Sequence, residues 1–223
     1  EYLIYNTAKV SMQNHQKSNP QNRIIFDLDF SNELMKEYIK STEGLSTGDS
    51  DRFIANFWEN TNGSNEWSYY QTSPSNDYNL DGCSKIIYWQ NGNGILSEFK
   101  GARIQGNAAW GKKGIIVGRV GQIRSNIYLG YLFDKSSVVL SMKDEAYFDD
   151  IWNYVKSKKF KDSVRKMDTK LGVATSVFEN VPINIDECTK ENKYKYSIYS
   201  DDPTQWIFHG HPRKSIDPLQ VAV

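Results

Sequence analysis

The chain has 223 residues, 39% hydrophobic and 24% charged, a make-up that predicts a soluble protein with material for one large domain or two small ones. No run approaches the roughly 20 apolar residues of a membrane helix. The opening Glu1-Tyr2-Leu3-Ile4-Tyr5 lacks the basic, apolar and small-residue order of a secretion signal, so no membrane partner and a cytoplasmic location are expected. Formal net charge is zero, which at first argues against a nucleic-acid partner. Its distribution reverses that. Residues 27–59 carry eight acids against three bases, residues 98–124 six bases against Glu98, and residues 156–170 seven bases against Asp162 and Asp168. Segregation of this kind hides a basic face inside a neutral protein.

In chain order, the first expected elements are a short strand at Tyr2 to Tyr5, a polar loop through Pro20, a second apolar run at Ile24 to Phe30 and a helix over Ser31 to Ile39. Ser41 to Ser50 is rich in Gly, Ser and Thr and predicts a loop; residues 60–82 also look loop-like, with Trp67, Tyr69, Tyr70 and Tyr78 embedded. Strands are expected at Lys85 to Trp89, Gly114 to Val120, Asn126 to Phe133 and Ser137 to Leu140, with a turn at Asn91 to Gly94. The period then changes. Tyr147, Ile151 and Val155 repeat every four residues behind Asp144 and Glu145, predicting a helix, and Phe160, Val164 and Met167 continue it or begin another. The lysines are placed at the end of the first helix, where positive charge suits the macrodipole. Cys83 and Cys188 have the spacing of two buried, reduced thiols, and no internal repeat is visible. Asn62-Gly63-Ser64 matches a glycosylation acceptor, which means nothing without secretion.

Three stretches carry a resemblance. Gly44-Leu45-Ser46-Thr47-Gly48-Asp49-Ser50-Asp51-Arg52-Phe53 is close to a Gly-(Ile/Leu)-x-Thr-Gly-x-Asn-x-x-Phe pattern, with Ser50 in place of Asn. Trp110 to Val117, the Asp144 to Lys159 helix, Val173 to Thr175 and Val181-Pro182-Ile183 follow a shared order. Asp202-Pro203-Thr204-Gln205-Trp206-Ile207-Phe208-His209-Gly210, then Ser215 to Val223, is the most specific. Together these resemble the target-recognition region of fused type II restriction–modification enzymes and of bacteriophage-exclusion N6-adenine DNA methyltransferases. The resemblance implies an α+β fold, a mixed twisted β-sheet with flanking helices. It divides the chain into a lead-in over residues 1–40, a recognition domain over 41–187, and a docked C-terminal extension over 188–223. The implied partners are double-stranded DNA and the methyltransferase core of the same polypeptide. S-adenosylmethionine, and Mg²⁺ if the parent also cleaves, belong to that parent. No Asn-Pro-Pro-Tyr motif for a flipped adenine occurs; the sole Asn-Pro is Asn19-Pro20, followed by Gln21. The expectation is a recognition fragment with no catalytic centre of its own.

A module that reads a duplex needs bases for phosphates and Arg, Asn or Gln for base edges. Arg103, Gln105, Asn107, Trp110, Lys112 and Lys113 gather such types between small residues, and Arg119 and Arg124 follow on the next strand and turn. Lys158, Lys159 and Arg165 are candidates for phosphate contacts, or else form a solvated helix face. Two other readings stand beside this one. The first is a protein-interaction domain of a phage-defence complex. The second is a Mg²⁺ nuclease on Asp81, Glu98 and Lys100, the D…ExK pattern that would hold a metal and poise a water. His209-Gly210-His211 has too few neighbouring ligands for Zn²⁺ and predicts a turn.

Overall fold

A computed structural model describes residues 11–17, 19, 24, 25, 28, 33–59 and 65–190. The expected strand at residues 2–5, the His209-Gly210-His211 turn and the whole 202–223 stretch lie outside the described residues. The fold is α+β, with two four-stranded sheets rather than the single mixed sheet expected. Both sheets draw on early and late parts of the chain.

The first sheet has the order β1 (Ile39–Glu43), β8 (Ser137–Met142), β5 (Gly114–Gly118), β6 (Ser125–Tyr128), antiparallel throughout. Gly-Ile-Ile-Val-Gly in β5 is buried on both faces, as a central strand requires. One face, with Ile39, Ile115, Val117, Ile127, Val138 and Leu140, packs on helices α4 (Phe148–Lys156), α5 (Lys158–Met167) and α6 (Thr175–Glu179) through Ile151, Trp152, Val155, Phe160, Val164 and Phe178. Each of these large side chains contributes roughly 1.5–3 kcal/mol by leaving water. The other face, with Ile116, Tyr128 and Val139, is covered by Ala109, Trp110 and Phe133.

The second sheet has the order β2 (Ile54–Asn56), β4 (Lys85–Tyr88), β3 (Trp67–Gln71), β7 (Leu132–Phe133), with β3 and β7 parallel. Ile54, Tyr70, Ile87 and Leu132 pack with Leu45, Phe53 and Leu96 on one side, while Ile86, Ala55, Trp67 and Tyr69 join the main core on the other.

Several expectations are corrected. Instead of a helix reaching Ile39 there is a single 3-10 turn, Met35–Glu37. Leu34 bridges to Pro182 and the Met35 N–H donates to the Val181 carbonyl at 2.9 Å, so tertiary pairing captures the backbone. Strand β1 then occupies the start of the expected 41–50 loop, and the division at residues 40/41 falls inside it. Within 60–82, Trp67–Gln71 forms β3; buried Gln71 disguises it, its Nε2 donating to the carbonyls of Asp81 at 3.0 Å and Ile127 at 2.9 Å. The expected strand over 126–133 is two strands in different sheets, separated at Gly130.

The helices also divide more finely. Ser157 ends α4 and, by accepting from the Phe160 N–H at 3.2 Å, caps α5. Lys158, Lys159 and Lys161 therefore sit in the first turns of α5, where the macrodipole opposes their charge. At the end of α4 the expected dipole complement falls to Lys156, and at the end of α5 Arg165 and Lys166 supply another.

Candidate nucleic-acid interface

The segment 101–113 is clasped by the Gly44–Phe53 motif. Leu45 is fully buried, and its N–H donates to the Phe133 carbonyl at 2.9 Å. Ser46 and Arg103 exchange backbone hydrogen bonds at 3.0 and 2.7 Å. Gly48, at φ +73, lies against Gly101 so closely that an added Cβ would stand 2.3 Å from the Gly101 carbonyl oxygen. The Asp49 carboxylate accepts from the Arg52 N–H at 3.2 Å and starts helix α2 (Ser50–Phe53), whose Phe53 ring meets Phe99 at 5.4 Å. At the far end, the Gly111 N–H donates to the Gly130 carbonyl at 2.8 Å.

This clasp divides the candidate residues. Gln105 is turned inward, its Nε2 donating to the Gly44 carbonyl at 2.7 Å. Trp110, half-buried, packs edge-on against Trp89 at 5.4 Å and lies against the core. Arg103, Asn107, Lys112 and Lys113 remain exposed on one continuous segment. Lys112 Nζ reaches back to the Ala108 carbonyl at 2.8 Å, and Lys113 Nζ stands 4.1 Å over the Phe148 ring.

The other candidates are mostly internal braces. Arg119 pairs with Glu43 at 2.7 Å and donates through Nε to the Val173 carbonyl at 2.9 Å. Arg124 donates to the Ser75 carbonyl. Arg165 donates to the carbonyls of Lys170 at 2.6 Å and of Gly121. On α5, Lys159 pairs with Glu187 at 3.1 Å, and Lys158 is exposed. The structure thus leaves Arg103, Asn107, Lys112 and Lys113 exposed along segment 101–113 and uses Arg119, Arg124 and Arg165 as ties between loops.

No family model matches this sequence, and no curated protein does.

The carboxylate of Asp81 accepts through Oδ2 from the Ser75 N–H at 2.6 Å, the Ser75 hydroxyl at 2.7 Å and the Asn76 N–H at 3.1 Å. That geometry organises the loop before β4, while Glu98 is exposed at the end of helix α3 (Ile95–Glu98). Among the described residues no three His, Cys, Asp or Glu side chains gather where a metal could sit. Cys83 and Cys188 are buried thiols that donate to the carbonyls of Asp81 at 3.0 Å and Asn184 at 3.2 Å, and burial pushes the Cys83 thiol well up. Among the described residues no helix is long and apolar enough to cross a membrane.

Lys156, counted by sequence among surface bases, is buried. Its Nζ donates to the carbonyls of Asp77 at 2.8 Å, Tyr78 at 2.9 Å and Ser125 at 2.8 Å, and lies 4.7 Å from the Trp152 ring centre. Burial pushes its ammonium down to about 8, a shift that the Asp77 carboxylate partly offsets. The i, i+4 spacing from Trp152 was the available signal for this inward direction.

Proposed function

We propose that this chain is the DNA-recognition part of a bacterial restriction–modification or phage-defence N6-adenine methyltransferase. Segment 101–113 enters the groove and the exposed bases of α5 rest on phosphates. The supporting observation is that the Gly44–Phe53 motif, which carries part of the family resemblance, holds Arg103, Asn107 and Lys112 out on a braced backbone. Arginine presents a fork for guanine O6 and N7, asparagine a donor–acceptor pair for adenine N6 and N7, and lysine a charge for the flanking phosphate. The chemistry of methyl transfer belongs to the core of the parent polypeptide and its S-adenosylmethionine; this chain chooses the site.

Binding of the chain to a random-sequence duplex library at 50 and 200 mM salt tests the reading. With about four phosphate contacts, affinity should fall on the order of 10²-fold across that range. Arg103→Ala should flatten the selected sequence at one or two positions, whereas Lys158→Ala should weaken every duplex alike. Absence of salt-dependent binding at 50 mM, or identical selected sequences from wild type and Arg103→Ala, would overturn it.

A further inference from the structure

The β5–β6 turn, residues 119–124, and the connector from α5 to α6, residues 168–174, form a single braced tip. Val120 and Gly172 make an antiparallel bridge. The Gly121 N–H donates to the Leu171 carbonyl at 3.1 Å and the Val173 N–H to the Arg119 carbonyl at 2.8 Å. Arg165 spans the two turns by donating to the Lys170 and Gly121 carbonyls. The Asp168 carboxylate, nearly buried, accepts from the N–H groups of Lys170 and Ala174, each at 3.1 Å. A backbone restrained at so many points holds whatever it carries in one place.

What it carries is apolar and exposed. Leu171 is 72% exposed and its neighbour Val120 49%. Single exposed hydrophobics need no explanation, but two on one braced tip do. Gly172 follows Leu171 in the chain and stands across the bridge from Val120. Its φ is outside the left-handed region and a Cβ there would touch nothing within 4 Å, so nothing in the described fold requires glycine. The bare backbone leaves room for close approach from outside. Lys166 and Lys170 are exposed beside the tip.

A projecting leucine on a rigid turn, flanked by lysines and bare backbone, has the chemistry of an apolar wedge for double-stranded DNA. Such wedges enter the minor groove, unstack one base step and leave the flanking cations on the two phosphate strands. We infer that Leu171 inserts into the minor groove of the bound duplex, with Val120 against the sugars and Lys166 and Lys170 on phosphates. This inference rests on the DNA-binding reading above and adds to it a second contact, at the opposite end of β5 from segment 101–113.

The test uses the full chain at 50 mM salt and a set of duplexes with 2-aminopurine stepped through TA and CA steps, since these unstack most easily. Wild type should raise the fluorescence of one position several-fold, as unstacking relieves quenching. Leu171→Ala should abolish that rise and weaken binding about tenfold with an unchanged salt slope. Leu171→Met should retain the rise, because methionine also serves as a wedge. Lys166→Ala and Lys170→Ala should each lower the salt slope by about one. Because Leu171 is solvated, circular dichroism of the Ala variant should match wild type. If wild type binds duplex but leaves every 2-aminopurine quenched, or Leu171→Ala behaves as wild type, the wedge is wrong while the recognition reading stands; a tip built for a protein partner gives this outcome. If wild type binds no duplex, both fall.

Discussion

A lysine drawn into a protein interior loses the hydration of its ammonium, and Lys156 recovers part of that through three carbonyl oxygens from two distant segments. The balance still favours the neutral amine more than it does in water, so the unfolded chain binds more protons between about pH 8 and the ordinary lysine value of 10.5. Stability must therefore rise with pH across that window as far as this group is concerned. Above pH 10 the buried tyrosines, among them Tyr131, pushed up by burial to about 12, begin to oppose the trend. Lys156→Met should lower stability by about 2–4 kcal/mol, since it leaves buried carbonyls without their donor. Urea midpoints at pH 7.5 and 9.5 check the sign: wild type should gain on Lys156→Met at the higher pH, and parallel behaviour would refute the assignment. At this scale the sequence was legible for residue type and poor for direction. Arg119, Arg124 and Arg165 read as DNA contacts because bases gather in those stretches, yet the same long side chain reaches a protein carbonyl as readily as a nucleic acid.

At the scale of elements, α5 has a conflict built into it. Its Ser157 cap suits a helix start, but Lys158 and Lys159 follow where negative charge would stabilise the exposed N–H groups. Lys159 is relieved by Glu187; Lys158 has no such partner among the described residues. Lys158→Glu should thus raise the stability of the chain by about 0.5 kcal/mol and lower duplex affinity at the same time. Opposite signs in a melting curve and a binding curve would mark Lys158 as kept for a ligand rather than for the fold; a loss in both would not. Elements with a strong period were legible. Tyr147, Ile151 and Val155 announced α4, and the apolar run at 114–118 announced β5. Strand β3 was hidden because Tyr70 and Gln71 break the alternation begun by Trp67, Ser68 and Tyr69, and β1 because five residues of mixed polarity pair with a strand nearly a hundred positions away. No local pattern encodes that pairing.

The whole molecule is knitted rather than stacked. Between β6 and β8, which belong to the first sheet, the chain crosses to the second and contributes β7. Gln71 of β3 bonds the backbone of β6, and Ile86 of β4 joins the core beneath the helices. One cooperative unit follows. Tryptophan fluorescence and far-ultraviolet circular dichroism should give coincident urea transitions; two separated transitions would mean that the sheets unfold independently. The interleaving also explains why a single mixed sheet was a natural expectation. The strands follow one another in sequence, and nothing local tells that β2, β3 and β4 pair among themselves or that Leu132–Phe133 joins them rather than β6. It has a consequence in time as well. Ile39 pairs with Met142, so during synthesis the first strand of its sheet must wait for about a hundred further residues. At ~5–20 residues per second that wait lasts roughly 5–20 seconds, with the backbone donors and acceptors of Ile39–Glu43 left to water. The ribosome thus delivers a chain whose second sheet is complete at Phe133, before the first can close at Met142.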